Sequence, residues 1–241
     1  MDYRLQTVEI PSHFSERDHL CDNTLIVVID VMFFTTTTSI LFENGVEKVH
    51  PIADENLFEE FEDIPCGGDN TNEQTVFMNR PQSVYGLATQ FESYPTAVAL
   101  ESDNGAVAVD RMHTLRQNSE YEGVDIILGS LRNAYQVADY IRNNTDQYNS
   151  VLFYCAGSNG NVALEDNICQ TVIKAELSNR HIIPEGYRTI TKQLPLQQIN
   201  STPSQYTFAD EDKDHASRID VTDIIPIVTT DGVIVREVNY K

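Results

Sequence analysis

The sequence has no tryptophan and is short of bases: 5 Lys and 11 Arg stand against 37 Asp and Glu in 241 residues, a formal charge of −21. A field of that sign repels nucleic acid and anionic membranes, so neither is expected as a partner. The four cysteines, Cys21, Cys66, Cys155 and Cys169, form no C-x-x-C pair, and reduced, mostly buried thiols are expected. No apolar run approaches the roughly 18 residues of a membrane span. MDYRLQTVEI is not a basic-then-apolar leader, so the expected location is the cytoplasm. No histidine stands beside a candidate nucleophile, which leaves Ser-His and Cys-His chemistry without support.

What is present is a chain able to bury a core. Hydrophobic residues make up 41% of it, and its apolar runs are too clear for a disordered acidic tail. The length suits one large domain or two small lobes, and we read residues 1–241 as a single domain. The acids are spread along the whole chain rather than gathered in blocks. With lysine scarce, that pattern fits a protein working in molar salt, where a Debye length of about 3 Å screens self-repulsion. An acidic interaction protein is the competing reading of the charge.

The organising stretch is Thr24 to Gly45. Leu25 to Ile29 is an apolar, β-branched run of the kind buried on both faces of a sheet. Asp30 ends it, Thr35 to Thr38 follow, and Asn44-Gly45 stops the helix after them. Polar groups at the carboxyl end of a buried strand mark the ligand position of an open α/β sheet. A helix N-terminus suits an anion, and an acid beside it suits a bridging metal ion. The plainer reading is a capped helix and an acid bonding its own loop.

The same arrangement recurs. Strands are expected at Leu5–Ile10, Val46–Ile52, Thr96–Leu100, Val124–Leu128 and Val151–Tyr154. Several run into small or polar residues and then a helix: Ser102-Asp103-Asn104-Gly105, Gly129-Ser130-Leu131-Arg132-Asn133, and Cys155 to Gly160 before Leu164-Glu165-Asp166. That alternation predicts an α/β fold with a largely parallel or mixed sheet and crossover helices. Leu57–Phe61 reads as an acidic helix, residues 64–75 as a loop, Ser83–Gln90 as a helix and 180–199 as an irregular capping segment. Residues 200–217 read as an acidic surface loop, and the runs around Asp231-Gly232 as a C-terminal hairpin.

The candidate residues at strand ends are Asp30, Asn79, Asn104, Arg132, Asn133, Glu165 and Asp166. Arg132 offers a guanidinium that fits phosphate bidentately. Glu165-Asp166 suits a hard cation such as Mg²⁺, which takes oxygen ligands; acids in a first helical turn also simply complement the dipole. Cys155, in an acidic setting, is expected to stay protonated.

At these residues the chain resembles the 2-phosphosulfolactate phosphatases, Mg²⁺-dependent enzymes of coenzyme M biosynthesis. Asp30-Val31-Met32-Phe33-Phe34-Thr35-Thr36-Thr37 is similar to the family's DVLRATTT, Asn79-Arg80-Pro81 to its N-S-P loop, and Ser102-Asp103-Asn104-Gly105-Ala106 to its T-T-N-G-T turn. Gly129 to Ala134 match G-S-L-R-N-A in full. Ala156-Gly157, Gly160 and Leu164-Glu165-Asp166 match A-G-x-x-G-x-x-x-L-E-D, and Asp220 to Pro226 are similar to the family's ending.

The resemblance implies a Mg²⁺-dependent phosphatase acting on a small anionic phosphorylated substrate. The metal would be held by Asp30, Glu165 or Asp166, with Arg132 catalytic beside them. Thr35, Thr36, Thr37, Asn79, Arg80, Asn104, Gly105, Asn133 and Gly157 would bind the substrate. Small α/β enzymes of this kind often form homodimers. The departures pull the other way: the motif arginine is Phe33, and hydroxyls are lost at Arg80, Asp103 and Ala106. Arg80 is a candidate replacement charge, whereas Asp103 opposes an anionic substrate unless it binds a second cation. The alternative is a non-catalytic relative that binds a phosphorylated or sulfonated metabolite.

Overall fold

A computed structural model describes residues 3–69, 73–118, 120–180, 184–193 and 210–237. The chain opens with β1 (Arg4–Val8), the single turn α1 (Glu16–His19), β2 (Thr24–Ile29) and α2 (Phe34–Glu43). Next come β3 (Lys48–Ile52), β4 (Cys66–Gly68), β5 (Thr75–Met78), α3 (Pro81–Gln90), β6 (Ala97–Glu101) and α4 (Gly105–Asn118). They are followed by β7 (Asp125–Gly129), α5 (Ala134–Asn143), β8 (Ser150–Cys155) and α6 (Leu164–Leu177). The last elements are α7 (Pro184–Gln193), α8 (Asp210–Ser217), β9 (Pro226–Val228) and β10 (Ile234–Arg236).

The expected α/β fold is what forms: a ten-stranded, mostly parallel sheet in the order β1-β8-β2-β7-β9-β10-β3-β6-β4-β5. Its two ends are parallel sets, β1-β8-β2-β7 and β3-β6-β4-β5. The C-terminal hairpin joins them, β9 running antiparallel to β7 and β10 antiparallel to β3. The chain's last described strands therefore hold the centre of the sheet.

The period-two alternation of the apolar strands sorts residues between two cores. Ile26, Val28, Ile126, Leu128, Leu152 and Tyr154 face a cluster containing α2 and α4. Leu25, Val27, Ile29, Ile127, Val151 and Phe153 face a second cluster against α5 and α6. Helix α2 is buried on every side from Phe34 to Phe42, its four threonines and Ser39 included. The outer face of β3, β4 and β6 has a smaller cluster, Ile52, Phe58, Cys66 and Ala99, under the 3-10 turn Glu55–Phe61.

Several local expectations change. Residues 64–75 were expected to be a loop, yet they supply β4 and the start of β5. A Cys-Gly-Gly strand has almost no β propensity, but a Cβ on Gly67 would stand 2.3 Å from the Phe77 ring, which lies where a side chain would be. The acidic helix at Leu57–Phe61 is a 3-10 segment. Residues 210–217 form α8 rather than a surface loop, and their acids have partners. Asp212 accepts the Gln82 N–H at 2.7 Å and caps α3, while Asp214 gathers Arg188, Lys192 and Arg218. The rest of that loop, 200–209, and the stretches 181–183 and 194–199 of the capping segment lie outside the described residues. The four cysteines are unpaired, with Cys66, Cys155 and Cys169 buried. Among the described residues no helix is long and apolar enough to cross a membrane.

Candidate active site

Asp30 sits where β2 gives way to α2, 4% exposed. The turn that carries it closes on itself. The Thr35 N–H and hydroxyl both donate to the Asp30 carbonyl, at 2.9 and 2.7 Å, and the Thr36 hydroxyl donates to the Val31 carbonyl at 2.7 Å. The Asp30 carboxylate thereby faces the N-terminus of α4, close to the Gly105 N–H, which donates to the Ser102 hydroxyl at 3.2 Å. A Cβ on Gly105 would stand 2.4 Å from Asp30 Oδ2 and from Phe34 Cβ, so this approach requires glycine. Strands β2 and β6 are separated in the sheet by β7, β9, β10 and β3, yet the residues that follow them touch. The twist of a sheet this wide lets its ends curl toward each other.

From β8 comes a second carboxylate. Asp166, in the first turn of α6 and 1% exposed, accepts the Val31 N–H at 2.8 Å and the Gly157 N–H at 3.1 Å. It pins the ends of β2 and β8 together. Gly157 has φ +71, and a Cβ there would stand 2.5 Å from the Asn161 carbonyl; the conformation that points its N–H at Asp166 therefore favours glycine. Glu165 lies beside Asp166 and is more open. The Asn159 N–H donates to Asn104 Oδ1 at 3.2 Å, which ties the β8 loop to the start of α4.

The other parallel set contributes acids that sequence reasoning missed or mentioned only in passing. Glu101 ends β6 and is 5% exposed. Asp69, just after β4, donates its N–H to Glu101 Oε2 at 2.8 Å. The Asp69 carboxylate accepts from Asn79 Nδ2 at 2.8 Å and from the Asp103 N–H at 3.0 Å. One carboxylate oxygen from each of Asp69, Glu101 and Asp103 lies within 4.8 Å of the others. The Ser102 hydroxyl reaches both Asp30 and Asp69 and links the two sets. The signal for Asp69 was the Gly67-Gly68-Asp69 run, and for Glu101 an acid at the end of an apolar strand.

Burial pushes the Asp30 carboxyl well above its ordinary value, and the charges of Asp69 and Glu165 push it further. Asp166 is raised well above its ordinary value by burial and then by the charges of Asp30 and Glu165. Glu165 and Asp69 are raised too, chiefly by burial. Among the described residues no ion pair involves Asp30, Asp69, Asp103, Glu165 or Asp166. Cys155 and Cys169 lie near Asp166, and burial holds both thiols well above their ordinary value.

Other expected site residues stand elsewhere or are otherwise engaged. Arg132 is 4% exposed, but its guanidinium grips Glu43 at the end of α2, at 2.9 and 2.7 Å, and donates to the His215 carbonyl at 3.2 Å. The guanidinium expected to meet phosphate thus ties the turn before α5 to α2 and α8. Asn133 accepts the Ser130 N–H and hydroxyl and donates to the Leu128 and Ile224 carbonyls, completing a capping box. Thr35, Thr36 and Thr37 are fully buried. The first two hydroxyls close the turn, the Thr37 N–H donates to the Phe33 carbonyl, and the Thr37 hydroxyl has no partner among the described residues. Arg80 is half-buried at the start of α3. Phe33 is 4% exposed in the cluster against α5 and α6. The structure thus brings together Asp30, Asn79, Asn104, Gly105, Gly157, Glu165 and Asp166, adds Asp69, Glu101, Ser102 and Asp103, and commits Arg132 and Asn133 to the scaffold.

Comparison with known proteins agrees with the motifs. The sequence profile of the 2-phosphosulpholactate phosphatase family matches residues 9–231. A probable 2-phosphosulfolactate phosphatase of Caldicellulosiruptor saccharolyticus is 27% identical over 168 residues, covering 66% of this chain and 64% of that protein. A probable 2-phosphosulfolactate phosphatase of Thermotoga maritima is 26% identical over 158 residues, covering 65% and 63%. The chain spans a little under two thirds of the length of these relatives.

Proposed function

The chain belongs to the 2-phosphosulpholactate phosphatase family, and from that premise we propose that it is a Mg²⁺-dependent phosphatase of a small phosphorylated acid. The substrate named by its relatives, 2-phosphosulfolactate, would give sulfolactate and phosphate, a step of coenzyme M biosynthesis by the resemblance noted above. The observation that carries this reading is the convergence of buried carboxylates from both parallel sets around Asp30, without a counter-ion among the described residues for Asp30, Asp69 or Asp166. Such a set suits a hard divalent cation with an all-oxygen shell. Asp30, Glu165 and Asp166 would hold Mg²⁺. When bound, the ion would neutralise phosphoryl oxygens and so allow an anionic ester among acids.

The chain's own groups set the stage for the reaction. The Val31 and Gly157 N–H groups orient Asp166, and the Gly105 N–H and Ser102 hydroxyl orient Asp30. Burial of these carboxylates lowers the local dielectric, which strengthens every charge interaction with the substrate. In the net reaction water's oxygen bonds to phosphorus, the ester P–O bond breaks, and water's proton ends on the leaving alkoxide. Arg132 acts as a positioning residue through Glu43 and α2. The dispersed acidity and scarce lysine support work in molar salt in the cytoplasm. A homodimer is the assembly we infer.

Phe33 favours a second reading. The position of the motif arginine is buried among apolar side chains, and a member without that charge could bind a phosphorylated or sulfonated metabolite and leave it intact. Phosphate release from 2-phosphosulfolactate and a panel of phosphorylated small acids, in molar KCl with and without Mg²⁺, separates the two. Mg²⁺-dependent release that Glu165→Ala abolishes is expected. Saturable binding without release establishes the non-catalytic relative.

A further inference from the structure

We propose that Asp69, Glu101 and Asp103, with the side-chain oxygen of Asn79, form a second divalent-cation site on the far side of Ser102 from Asp30. The three carboxylates offer oxygens within 4.8 Å of one another, a spacing that one ion can span. The independent observation is Asn79. It is 3% exposed, and its Nδ2 donates to Asp69 Oδ1 at 2.8 Å, so its amide is directed into the cluster. Its Oδ1 is buried with no partner among the described residues. A buried amide oxygen left unpaired carries a desolvation penalty that a ligand would remove, and a fourth neutral oxygen is a normal member of a hard-cation shell.

The cluster is built rather than incidental. The Asp69 N–H fixes Glu101, the Asp103 N–H fixes Asp69, and Gly68 allows Glu101 to lie on the β4 backbone, where a Cβ would stand 2.7 Å from Oε2. Asp103 is exposed, which leaves the ion a side open to water or a phosphoryl oxygen. Charge gives the same answer. Asp69, Glu165 and Asp166 interact with Asp30 by charge, Glu101 and Asp103 lie beside Asp69, and one divalent ion leaves these six acids strongly anionic toward a phosphate dianion. A second ion held by Asp69, Glu101 and Asp103 would offset part of that charge and supply further electrostatic stabilisation to a phosphoryl group. The proposal deepens the phosphatase reading and rests on it for the substrate, but cation binding stands apart from turnover.

The test is Mn²⁺ titration of EDTA-stripped protein in molar KCl, with free Mn²⁺ read by electron paramagnetic resonance and folding checked by circular dichroism. Wild type is expected to take up two ions per chain. Asp103→Asn should weaken one of them by about tenfold or more and leave the other, while Asp166→Asn should do the converse. Asn79→Asp, which keeps an oxygen at the site and adds charge, should tighten the ion that Asp103→Asn loosens; a merely structural Asn79 would loosen it. A single ion per wild-type chain, or uptake by Asp103→Asn identical to wild type, overturns the second site. One ion with phosphate release keeps the phosphatase reading and discards this site. Two ions without release from any substrate does the reverse.

Discussion

The two parallel sets of strands are built to different standards. In β1-β8-β2-β7 the two longest central strands, β2 and β8, are buried at every residue and enclosed by α2 and α4 on one face and α5 and α6 on the other. The outer face of β3, β4 and β6 rests on four buried side chains under a 3-10 turn. The first set carries Gly129–Ala134 and Leu164-Glu165-Asp166, which match the family motifs over their length, but also Phe33 in place of the motif arginine; the second carries the departures at Arg80, Asp103 and Ala106. Yet each set sends three acids to the same place. The first set holds Asp166 on two N–H groups, and the departures fall in packed surroundings in both sets: Phe33 is buried against α5 and α6, and Ala106 in the cluster that contains α2 and α4. On the proposed function the site draws on both halves, which meet at Gly105 and Ser102.

Cutting that joint should have the largest effect. Gly105→Ala forces a methyl group against Asp30 and Phe34, and displacement of about 1 Å costs on the order of 10²-fold in rate. Mg²⁺-dependent phosphate release should fall by at least that factor in a protein that remains folded, and near-normal release would separate the halves functionally. Asp30→Asn should also lose turnover, but its metal-free form should unfold at a higher temperature than wild type. It removes a buried, repelled carboxylate while keeping an acceptor for Gly105 and Ser102, a gain of about 1 kcal/mol. A lower midpoint would mean that the acid is stabilising as it stands.

The next effect sharpens what Arg132 does for the first set. Arg132→Met leaves Glu43 without its partner, and breaking a pair of which one member is buried should cost about 3 kcal/mol by urea unfolding. The KM for the phosphorylated substrate should stay unchanged; a raised KM at intact stability would return Arg132 to the phosphate. The smallest effect lies outside both sets. The contacts of Lys192, Arg218 and Arg188 hold the Asp214 carboxyl well below its ordinary value. A depressed carboxyl contributes stability that is present above its unfolded pKa, near 4, and lost as pH falls through the folded value. These groups are partly exposed, so Asp214→Asn should lose no more than about 1 kcal/mol at pH 7, and the gap from wild type should close in acid.

The same contrast explains what the sequence made legible. Leu25–Ile29 and Val151–Tyr154 announce themselves because double-sided burial demands uninterrupted apolar residues, and Asp30, Glu165 and Asp166 stand at their ends. Strand β4 does not announce itself, because Cys66-Gly67-Gly68 is shaped by Phe77, ten residues on, rather than by its own propensity. Glu101 falls between the expected strand Thr96–Leu100 and the turn after it, and Asp69 lies inside the expected 64–75 loop, since only the tertiary fold brings them near Asp30. Arg132 looked like a phosphate ligand because Glu43, 89 residues away in sequence, cannot be paired with it by inspection. The threonines offered hydroxyls and amides to an anion, but the turn five residues back claims the hydroxyls of Thr35 and Thr36 first.

The central claim is that both halves supply one phosphoryl-transfer site. The direct measurement is Mg²⁺-dependent phosphate release from 2-phosphosulfolactate by wild type, Asp166→Asn and Asp69→Asn, each shown to be folded. We predict release by wild type and a loss of at least about 10²-fold in both variants. Full activity in Asp69→Asn beside an inactive Asp166→Asn would confine the chemistry to the first half and contradict the account.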